Sequence, residues 1–311
     1  MTYEELLTGE ALADERFIVM TAENRALVRN IYAHLGDRFI DTGITEQTMI
    51  GAAAGLALRG RIPVVHALAS FLTMRAFEFV RTDAGIPNLP VKLSSFIPGF
   101  LSDGNGPTHQ AIEDISLMRG IPNMTVFAPA DEDDLLKMLP EIWKYPAPCY
   151  VRINTRKTGY VHAPFEWGKA EIIAEGTDVT ILTYGLLFEQ TLEAVKILKD
   201  EGLAVGLVNM RSLKPVDEQA ILRAAESNLL VTVEDHFLTG GLYTIVAETL
   251  LKYQTTARVL PFALKEKWFK PSLLPNVLEH EGFTAKQIAE KILGYTTNAV
   301  QSKIAAQEFS E

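Results

Sequence analysis

The stretch RFIDTGITEQTMIGAAAGLALRGRIPVVHA, residues 38–67, contains the pattern that decides the fold class. Residues 38–41 and 62–67 are short runs of strand-forming side chains, and residues 46–59 between them have an amphipathic helical pattern. A strand, a helix and a second strand in this order form a crossover unit, which joins parallel strands of one sheet. The stretch therefore predicts an α/β fold with a parallel sheet.

The same alternation extends along the whole chain and is interrupted once. Predicted strands before the interruption are residues 17–20, 38–41, 62–67, 91–96, 125–128 and 149–153. Predicted strands after it are residues 179–184, 204–209, 229–234 and 258–263. The interruption, residues 155–176, contains three glycines and a proline without a sustained period. We therefore predict two tandem α/β domains with mostly parallel sheets, residues 1–165 and 166–311.

Composition and charge exclude several classes of protein. The 311 residues are 48% hydrophobic and 22% charged, which is typical of a globular chain and not of a disordered or coiled-coil one. The formal net charge of −10 disfavours nucleic acid as a partner, because its phosphate backbone is repelled. The first 15 residues lack a basic and apolar leader, and the apolar runs are far shorter than the roughly 18 residues of a membrane span. We expect a cytoplasmic protein that contacts no membrane.

Two features that could suggest reactive or metal-binding sites have simpler interpretations. Cys149, the single cysteine, lies in an apolar-flanked run and is predicted to be a buried, unreactive thiol. The acidic run of residues 131–134 precedes a helical pattern, where acids favour the positive end of the helix dipole. A solvated helix start is favoured over a metal site there, and no metal ligand is predicted in this chain.

Two polar loops are candidates for a functional site. DTGITEQ, residues 41–47, turns from a strand into a helix, at the edge where open α/β sheets bind ligands. Its Glu46 has the alternative interpretation of a first-turn acid stabilised by the helix dipole. SDGNGPTHQ, residues 102–110, places turn-forming residues before a polar cluster, as in a ligand-binding loop. Its His109 is either a hydrogen-bonding site residue or a structural histidine.

Taken together, the order and spacing of these loops resemble the transketolase family over about residues 10–295. The matching motifs are EQ at 46–47, GLA at 55–57, Pro63, SFL at 70–72, GPTHQ at 106–110, LMR at 117–119, IPN at 121–123, APAD at 128–131, YVR at 150–152, EDH at 234–236 and GG at 240–241. EQ with GPTHQ at this separation is specific to the family. The motifs of the second domain are weaker, because several thiamine diphosphate enzymes share them.

The resemblance implies thiamine diphosphate and Mg²⁺ as cofactors and assigns roles to individual residues. Glu46 matches the glutamate that hydrogen-bonds the pyrimidine nitrogen N1′ and promotes loss of the thiazolium C2 proton. Phe71 matches the aromatic residue that stacks on the aminopyrimidine, with core packing as its alternative. His109 matches a histidine that hydrogen-bonds substrate hydroxyls. Arg152 matches an arginine that binds the sugar phosphate through its planar fork, with a surface ion pair as its alternative.

The sequence departs from the family at several substrate positions. Asn105, predicted to bind substrate, stands where the family usually has an aspartate that recognises hydroxyl stereochemistry. Ile97 stands in place of a phosphate-binding histidine, and Leu68 in place of an aromatic residue. The segment after residue 23 is shortened, so that a second phosphate-binding arginine and a serine cannot be placed. The donor or acceptor sugar is therefore expected to differ from the usual pentose phosphates.

The largest departure concerns the cofactor's diphosphate and metal, which the family binds on a separate domain with a Gly-Asp-Gly motif. Ser102-Asp103-Gly104 lacks the first glycine of that motif and overlaps the His109 loop. The chain therefore looks like the C-terminal half of a transketolase encoded as its own beta subunit. We expect it to work in an α₂β₂ heterotetramer with an alpha subunit that binds the diphosphate and holds most of the metal contacts. The expected reaction transfers a two-carbon ketol unit from a ketose phosphate to an aldose or aldose phosphate.

Three alternatives stay open at this point. The beta chain of a 2-oxo acid dehydrogenase has a similar length, although such chains typically carry His-Ser where this one has Thr108-His109-Gln110. A 1-deoxyxylulose-5-phosphate synthase-like enzyme would share the same motifs. A degenerate, non-catalytic scaffold is the third alternative, and the presence of Glu46, Phe71 and His109 together argues against it.

Overall fold

The computed structural model of the protein describes residues 1–308, and these contain two β-sheets flanked by helices. The strands are β1 Phe17–Thr21, β2 Phe39–Asp41, β3 Ile62–Leu68, β4 Lys92–Phe96, β5 Thr125–Phe127, β6 Cys149–Arg152, β7 Glu171–Ala174, β8 Val179–Thr183, β9 Val205–Asn209, β10 Ser212–Lys214, β11 Leu229–Phe237 and β12 Val259–Leu264. The predicted α/β class with two tandem, mostly parallel sheets is confirmed.

The helices cover the faces and edges of the two sheets. They are α1 Tyr3–Ala13, α2 Tyr32–Leu35, α3 Glu46–Leu58, α4 Phe77–Phe79, α5 Asp114–Arg119, α6 Glu132–Lys144, α7 Phe188–Asp200, α8 Glu218–Ala224, α9 Leu242–Lys252, α10 Leu274–Glu281 and α11 Ala285–Glu308. None of the helices in the described part of the chain has the length and apolar character of a membrane-crossing segment.

The strand order explains which chain segments come together. The first sheet has the order β10-β5-β6-β4-β3-β1-β2 and the second has β12-β11-β8-β9-β7. All neighbours are parallel except β10 with β5 and β7 with β9. Each of the ten strands predicted from the sequence is present, and no strand end differs from its predicted position by more than three residues.

Two short strands, β7 and β10, were not predicted from the sequence. β7 has four residues inside the glycine- and proline-containing interruption, and β10 has three, so neither is long enough to show a period. β10 follows residue 165 but pairs with β5 of the first sheet. The chain thus places one strand of its second half in the sheet of its first half.

The first sheet is buried on both faces, which explains its nearly continuous apolar strands. Alternate residues of β1 enter different cores: Ile18 and Met20 join one, and Phe17 and Val19 join the other. The core that contains Ile18 and Met20 also contains second-domain residues, among them Leu182, Val208, Leu230 and Ile245. The two domains therefore share a continuous apolar core.

The acidic run does open a helix, but two of its four side chains are buried rather than solvated as predicted. Asp131 caps α6 by accepting a hydrogen bond from the backbone N–H of Asp134, and both side chains are buried. His162 lies 3.3 Å from Asp131 through Nε2 and 2.6 Å from Glu171 through Nδ1. Arg211 lies 2.5 Å from Glu171 and 3.4 Å from Asp134. Burial is possible because these two cationic groups compensate the carboxylates.

The pairing shifts the pKa of both His162 and Glu171. Burial opposes the imidazolium, but hydrogen bonds to Asp131 and Glu171 outweigh it and raise the pKa of His162 to about 9. Burial opposes the carboxylate of Glu171, but hydrogen bonds from His162 and the Ala163 N–H and the charge of Arg211 lower its pKa to about 2. Both shifts favour the charged pair.

The His162 cluster should make stability depend on pH in a defined window. The folded pKa of His162 lies above the unfolded value of 6.5, so its contribution is fully present below about pH 6.5 and is lost as the pH rises through about 9. We expect the difference in unfolding free energy between the natural chain and His162→Gln to shrink across this range in urea titrations. His34→Gln, at an exposed position, is the matched control and should show a constant difference. A difference for His162→Gln that does not change with pH would contradict the assignment.

Candidate active site

Three of the residues predicted from the sequence lie together at one edge of the first sheet. Glu46 begins α3 after β2, Phe71 follows β3, and His109 lies on the loop after β4. These strands belong to one parallel set, so their carboxyl ends meet at the same edge, where open α/β sheets bind ligands. Sheet topology therefore brings together residues up to 63 positions apart.

The turn before α3 fixes the position of Glu46. Gly43 has φ +69°, a left-handed conformation that glycine adopts without steric cost. The Asp41 carboxylate accepts hydrogen bonds from the N–H groups of Gly43 and Glu23, both at 3.0 Å, and pairs with Arg25 at 2.6 Å. Although burial favours the protonated acid, these contacts lower the pKa of Asp41. The loop thus presents Glu46, only 2% exposed, at the base of a cleft.

Arg75 is a member of this cluster that the sequence analysis did not identify. Its Nη1 donates a 2.9 Å hydrogen bond to Oε2 of Glu46, and its guanidinium carbon lies 3.9 Å from the centre of the Phe71 ring. Phe71 and Arg75 are the first and last residues of one π-helical turn. The sequence contained one signal for Arg75: it lies four residues after Phe71, and residues with this spacing on a helix share a face.

Phe71 and His109 form the open side of the cluster. Their ring centres are 5.1 Å apart with planes at 63°, an edge-to-face contact. Thr108 Oγ1 lies 2.9 Å from His109 Nδ1, which orients the imidazole. Both rings are half-buried, so each has a surface available to a ligand. Asn105 lies exposed on the same loop as His109.

The cleft above Glu46 and Phe71 has a volume of about 410 Å³. Its lining residues are Ala22, Glu23, Asn24, Arg25, Ile44, Glu46, Leu68 and Phe71. A buried carboxylate, the face of an aromatic ring and two aliphatic side chains suit a flat heteroaromatic ring with a nitrogen that can hydrogen-bond. These residues fit the aminopyrimidine of thiamine diphosphate.

A second cavity of about 220 Å³, the side pocket, adjoins the cleft and shares Asn24 and Leu68 with it. Its remaining lining residues are Ala26, Leu27, Phe96, Ile97, Leu101, Ile153, Asn154, Thr155 and Arg156. Ile97 has φ +44°, a strained conformation for a β-branched residue, and such strain is concentrated at functional sites. The lining is largely aliphatic, with the exposed guanidinium of Arg156 among its polar groups.

Arg152 does not join this cluster. Its Nε lies 2.9 Å from Asp114 and its Nη1 lies 2.5 Å from Asp235, while Nη2 also contacts the Ala111 carbonyl oxygen at 3.4 Å. The side chain is 3% exposed, so the alternative of a surface ion pair is wrong, and the pairing is interior. A phosphate-binding role for Arg152 stays a prediction that these surroundings do not favour, because each guanidinium nitrogen already has an acceptor.

The second-domain motifs hold this interdomain pairing together. Glu234 accepts hydrogen bonds from the N–H groups of Leu242 and Tyr243 and thereby caps α9. A Cβ at Gly241 would lie 2.0 Å from the Glu234 carboxylate, so glycine is required there. Burial raises the pKa of Glu234 to about 8, against these hydrogen bonds. In the described chain these residues act as structural groups rather than as part of the cleft.

Two family models match the chain in the order of its domains. The model described as transketolase, pyrimidine binding domain, matches residues 1–159. The model described as transketolase, C-terminal domain, matches residues 168–288. The residues that line the cleft all lie within the first match.

Curated relatives include whole subunits and longer enzymes. The 6-deoxy-6-sulfo-D-fructose transketolase subunit of Clostridium sp. (strain MSTE9) is 34% identical over 293 residues, which cover 92% of this chain and 91% of the relative. The putative transketolase C-terminal section of Methanocaldococcus jannaschii is 35% identical over 262 residues, which cover 83% of this chain and 82% of the relative. The 1-deoxy-D-xylulose-5-phosphate synthase of Dictyoglomus turgidum is 37% identical over 266 residues, which cover 83% of this chain but 42% of the synthase.

Solved structures show the same architecture. A split gene transketolase, described as an inactive beta4 tetramer, matches with a TM-score of 0.85 and 32% identity, covering 95% of this chain and 97% of that one. The transketolase of Campylobacter jejuni matches with a TM-score of 0.75 and 18% identity, covering 94% of this chain and 45% of that one. The second likeness shows the shared fold.

Removing Arg152 should destabilise the chain strongly. Arg152→Met leaves Asp114 and Asp235 buried without their counter-charge, and breaking a buried pair in this way costs about 3–5 kcal/mol. Arg156→Met is the matched control, because its 3.4 Å pair with Glu189 is exposed and such pairs contribute about 0–1 kcal/mol. Urea unfolding of both variants measures the difference. A loss below about 1 kcal/mol for Arg152→Met, accompanied by a raised KM for phosphorylated sugars, would instead support the phosphate-binding role.

Proposed function

The chain belongs to the transketolase family, and we propose that it is the pyrimidine-binding beta subunit of a two-chain transketolase. In this proposal it transfers a two-carbon ketol unit between a ketose phosphate and an aldose or aldose phosphate. The observation that supports it best is one cleft that combines the buried Glu46 carboxylate, the Phe71 ring and the neighbouring His109 imidazole. This combination suits a cofactor that needs both a hydrogen-bonded ring nitrogen and a stacked ring.

Thiamine diphosphate, when bound, would supply a thiazolium carbon that becomes nucleophilic toward a sugar carbonyl once it has lost its proton. Glu46 in its protonated form would donate a hydrogen bond from Oε1 or Oε2 to the pyrimidine nitrogen, which carries no hydrogen of its own, and would exchange this proton with it. Ile44 and Leu68, which line the cleft, would exclude water from the ring. His109, oriented by Thr108, would hydrogen-bond a substrate hydroxyl, and the exposed Asn105 would contact the same sugar.

The proposal places the diphosphate and Mg²⁺ mainly on a partner chain. Asp103, the acid nearest to a Gly-Asp-Gly pattern, is committed to the fold: Oδ1 accepts from the Gly104 N–H at 2.6 Å and Oδ2 from the Leu274 N–H at 3.0 Å. A relative that shares 34% identity with this chain is named as a subunit. The similar split gene transketolase is described as an inactive beta4 tetramer. These observations support a complex of two chain types, which we propose to be α₂β₂.

A second candidate function is supported by the matched 1-deoxy-D-xylulose-5-phosphate synthases. This chain spans about half or less of their length, and the matched part is 34–37% identical. A synthase-like complex would use pyruvate as the donor. Assays of the complex with a ketose phosphate, with pyruvate and a sugar-phosphate acceptor, and with pyruvate and an artificial electron acceptor separate the transketolase, the synthase and the 2-oxo acid dehydrogenase.

Glu46→Gln should abolish most turnover while the complex stays folded. Proton exchange at a positioned carboxylate contributes about 10²–10⁴-fold, so turnover should fall by at least 100-fold. Glu218→Gln is the matched control, because Glu218 also begins a helix but lies on α8 of the second domain. Steady-state ketol transfer by the two complexes gives the comparison. A loss below tenfold for Glu46→Gln would show that Glu46 is only a helix-start acid.

The isolated chain should bind thiamine diphosphate much more weakly than the complex. This chain supplies contacts to the pyrimidine end, whereas the charged diphosphate and its metal need donors and oxygen ligands from the partner. Calorimetric titration with thiamine diphosphate and Mg²⁺, of the chain alone and of the complex, measures both affinities. Sub-micromolar binding to the chain alone would refute the division of the site between two chains.

A further inference from the structure

One guanidinium group makes both of the contacts that the proposed function assigns to the cofactor's pyrimidine. Arg75 donates to Glu46 Oε2 at 2.9 Å and lies 3.9 Å above the centre of the Phe71 ring. A guanidinium is planar, stacks on aromatic rings and carries N–H donors in its plane. An aminopyrimidine is also planar and stacks on aromatic rings, and its ring nitrogen becomes an in-plane N–H donor to a carboxylate once it has taken a proton, so the two groups suit the same partners.

Glu46 and Phe71 are among the residues that line the cleft, whereas Arg75 contacts both of them without lining it. Glu46 is 2% exposed on the first turn of α3 and needs a donor, because a buried carboxylate without one is strongly disfavoured. Phe71 begins the π-helical turn and packs edge-to-face against His109. The side chain of Arg75 is 39% exposed, so rotation into solvent restores its hydration.

The backbone at this point supports a specialised role for Arg75. Residues Phe71–Arg75 form a π-helical turn, which is closed by a 3.0 Å hydrogen bond from the Ala76 N–H to the Phe71 carbonyl oxygen. Such turns are rare and frequently occur at functional sites. Here the turn places the guanidinium directly over the ring that precedes it by four residues.

We propose that Arg75 is a displaceable counter-ion that competes with the pyrimidine of thiamine diphosphate for Glu46 and Phe71. Arg75 stabilises the buried carboxylate until the cofactor binds, and the pyrimidine then replaces the guanidinium at both partners. The cofactor's apparent Kd is therefore its intrinsic Kd divided by the fraction of molecules in which Arg75 has left Glu46 and Phe71. This inference rests on the proposed function, because that function identifies the ligand.

The test measures cofactor affinity and stability in the same variant. Arg75→Met retains an apolar stem but removes the donors, and it should lower the Kd for thiamine diphosphate with Mg²⁺ by about three- to tenfold. The complex is purified through a tag on this chain and titrated calorimetrically. Without thiamine diphosphate, the same variant should unfold at a lower urea concentration, because Glu46 has lost its partner. Opposite signs of the two effects distinguish competition from a general loss of structure.

Two further variants make the result interpretable. Arg81→Met, at an exposed arginine six residues further along, is the matched control and should change neither quantity. Arg75→Lys retains the charge without the planar fork, and we expect a Kd between those of Arg75→Met and the natural complex. An unchanged or raised Kd in Arg75→Met would overturn the competition while leaving the proposed function in place. Failure of the natural complex to bind thiamine diphosphate would overturn the proposed function and the competition together.

Discussion

A buried carboxylate that needs a donor is the constraint on which the rest of the site depends. Glu46 is fixed by the β2 end, the left-handed turn at Gly43 and the first turn of α3, and it is almost inaccessible to water. Glu46 lines the cleft together with Phe71, so a ligand in the cleft can contact both side chains. This geometry selects flat groups that can present an N–H donor in their plane. It explains how the Arg75 guanidinium and the pyrimidine of the proposed cofactor can suit the same two partners, Glu46 and Phe71.

The second domain stabilises the position of the His109 loop through contacts that lie outside the cleft. Arg152 joins Asp114 of α5 to Asp235 of β11, and the Phe237 N–H donates to the Ile112 carbonyl oxygen at 2.8 Å. Both contacts fix the segment that directly follows His109. A Cβ at Gly99 would lie 1.8 Å from the Asp235 carboxylate, so the close approach of the two domains depends on that glycine. The interior ion pairs therefore determine where the His109 loop lies, although none of them touches the cleft.

The sequence predicted what depends on local pattern and missed what depends on burial. Short runs of strand-forming residues predicted ten strands, the two polar loops led to Glu46 and His109, and the resemblance to the transketolase family added Phe71. The short strand β10 was missed because its three residues form a strand only by pairing with β5. Arg75 was missed and Arg152 was placed among substrate ligands because the sequence does not show which carboxylates an arginine will meet. Tertiary packing gives Arg75 to Glu46 and Arg152 to the domain interface.

The division of the proposed site between two chains has a thermodynamic consequence. A ligand that contacts both chains must bind the assembled complex more tightly than either part, and by linkage it must strengthen the assembly by the same factor. Displacing Arg75 opposes binding equally in the single chain and in the complex, because Arg75 and its two partners belong to this chain. In the single chain the pyrimidine contacts alone must offset that displacement. In the complex the diphosphate and metal contacts on the partner would also contribute, so binding of the cofactor before assembly would be weaker by those contacts, while the Arg75 pairing would lower the affinity by the same factor in both states.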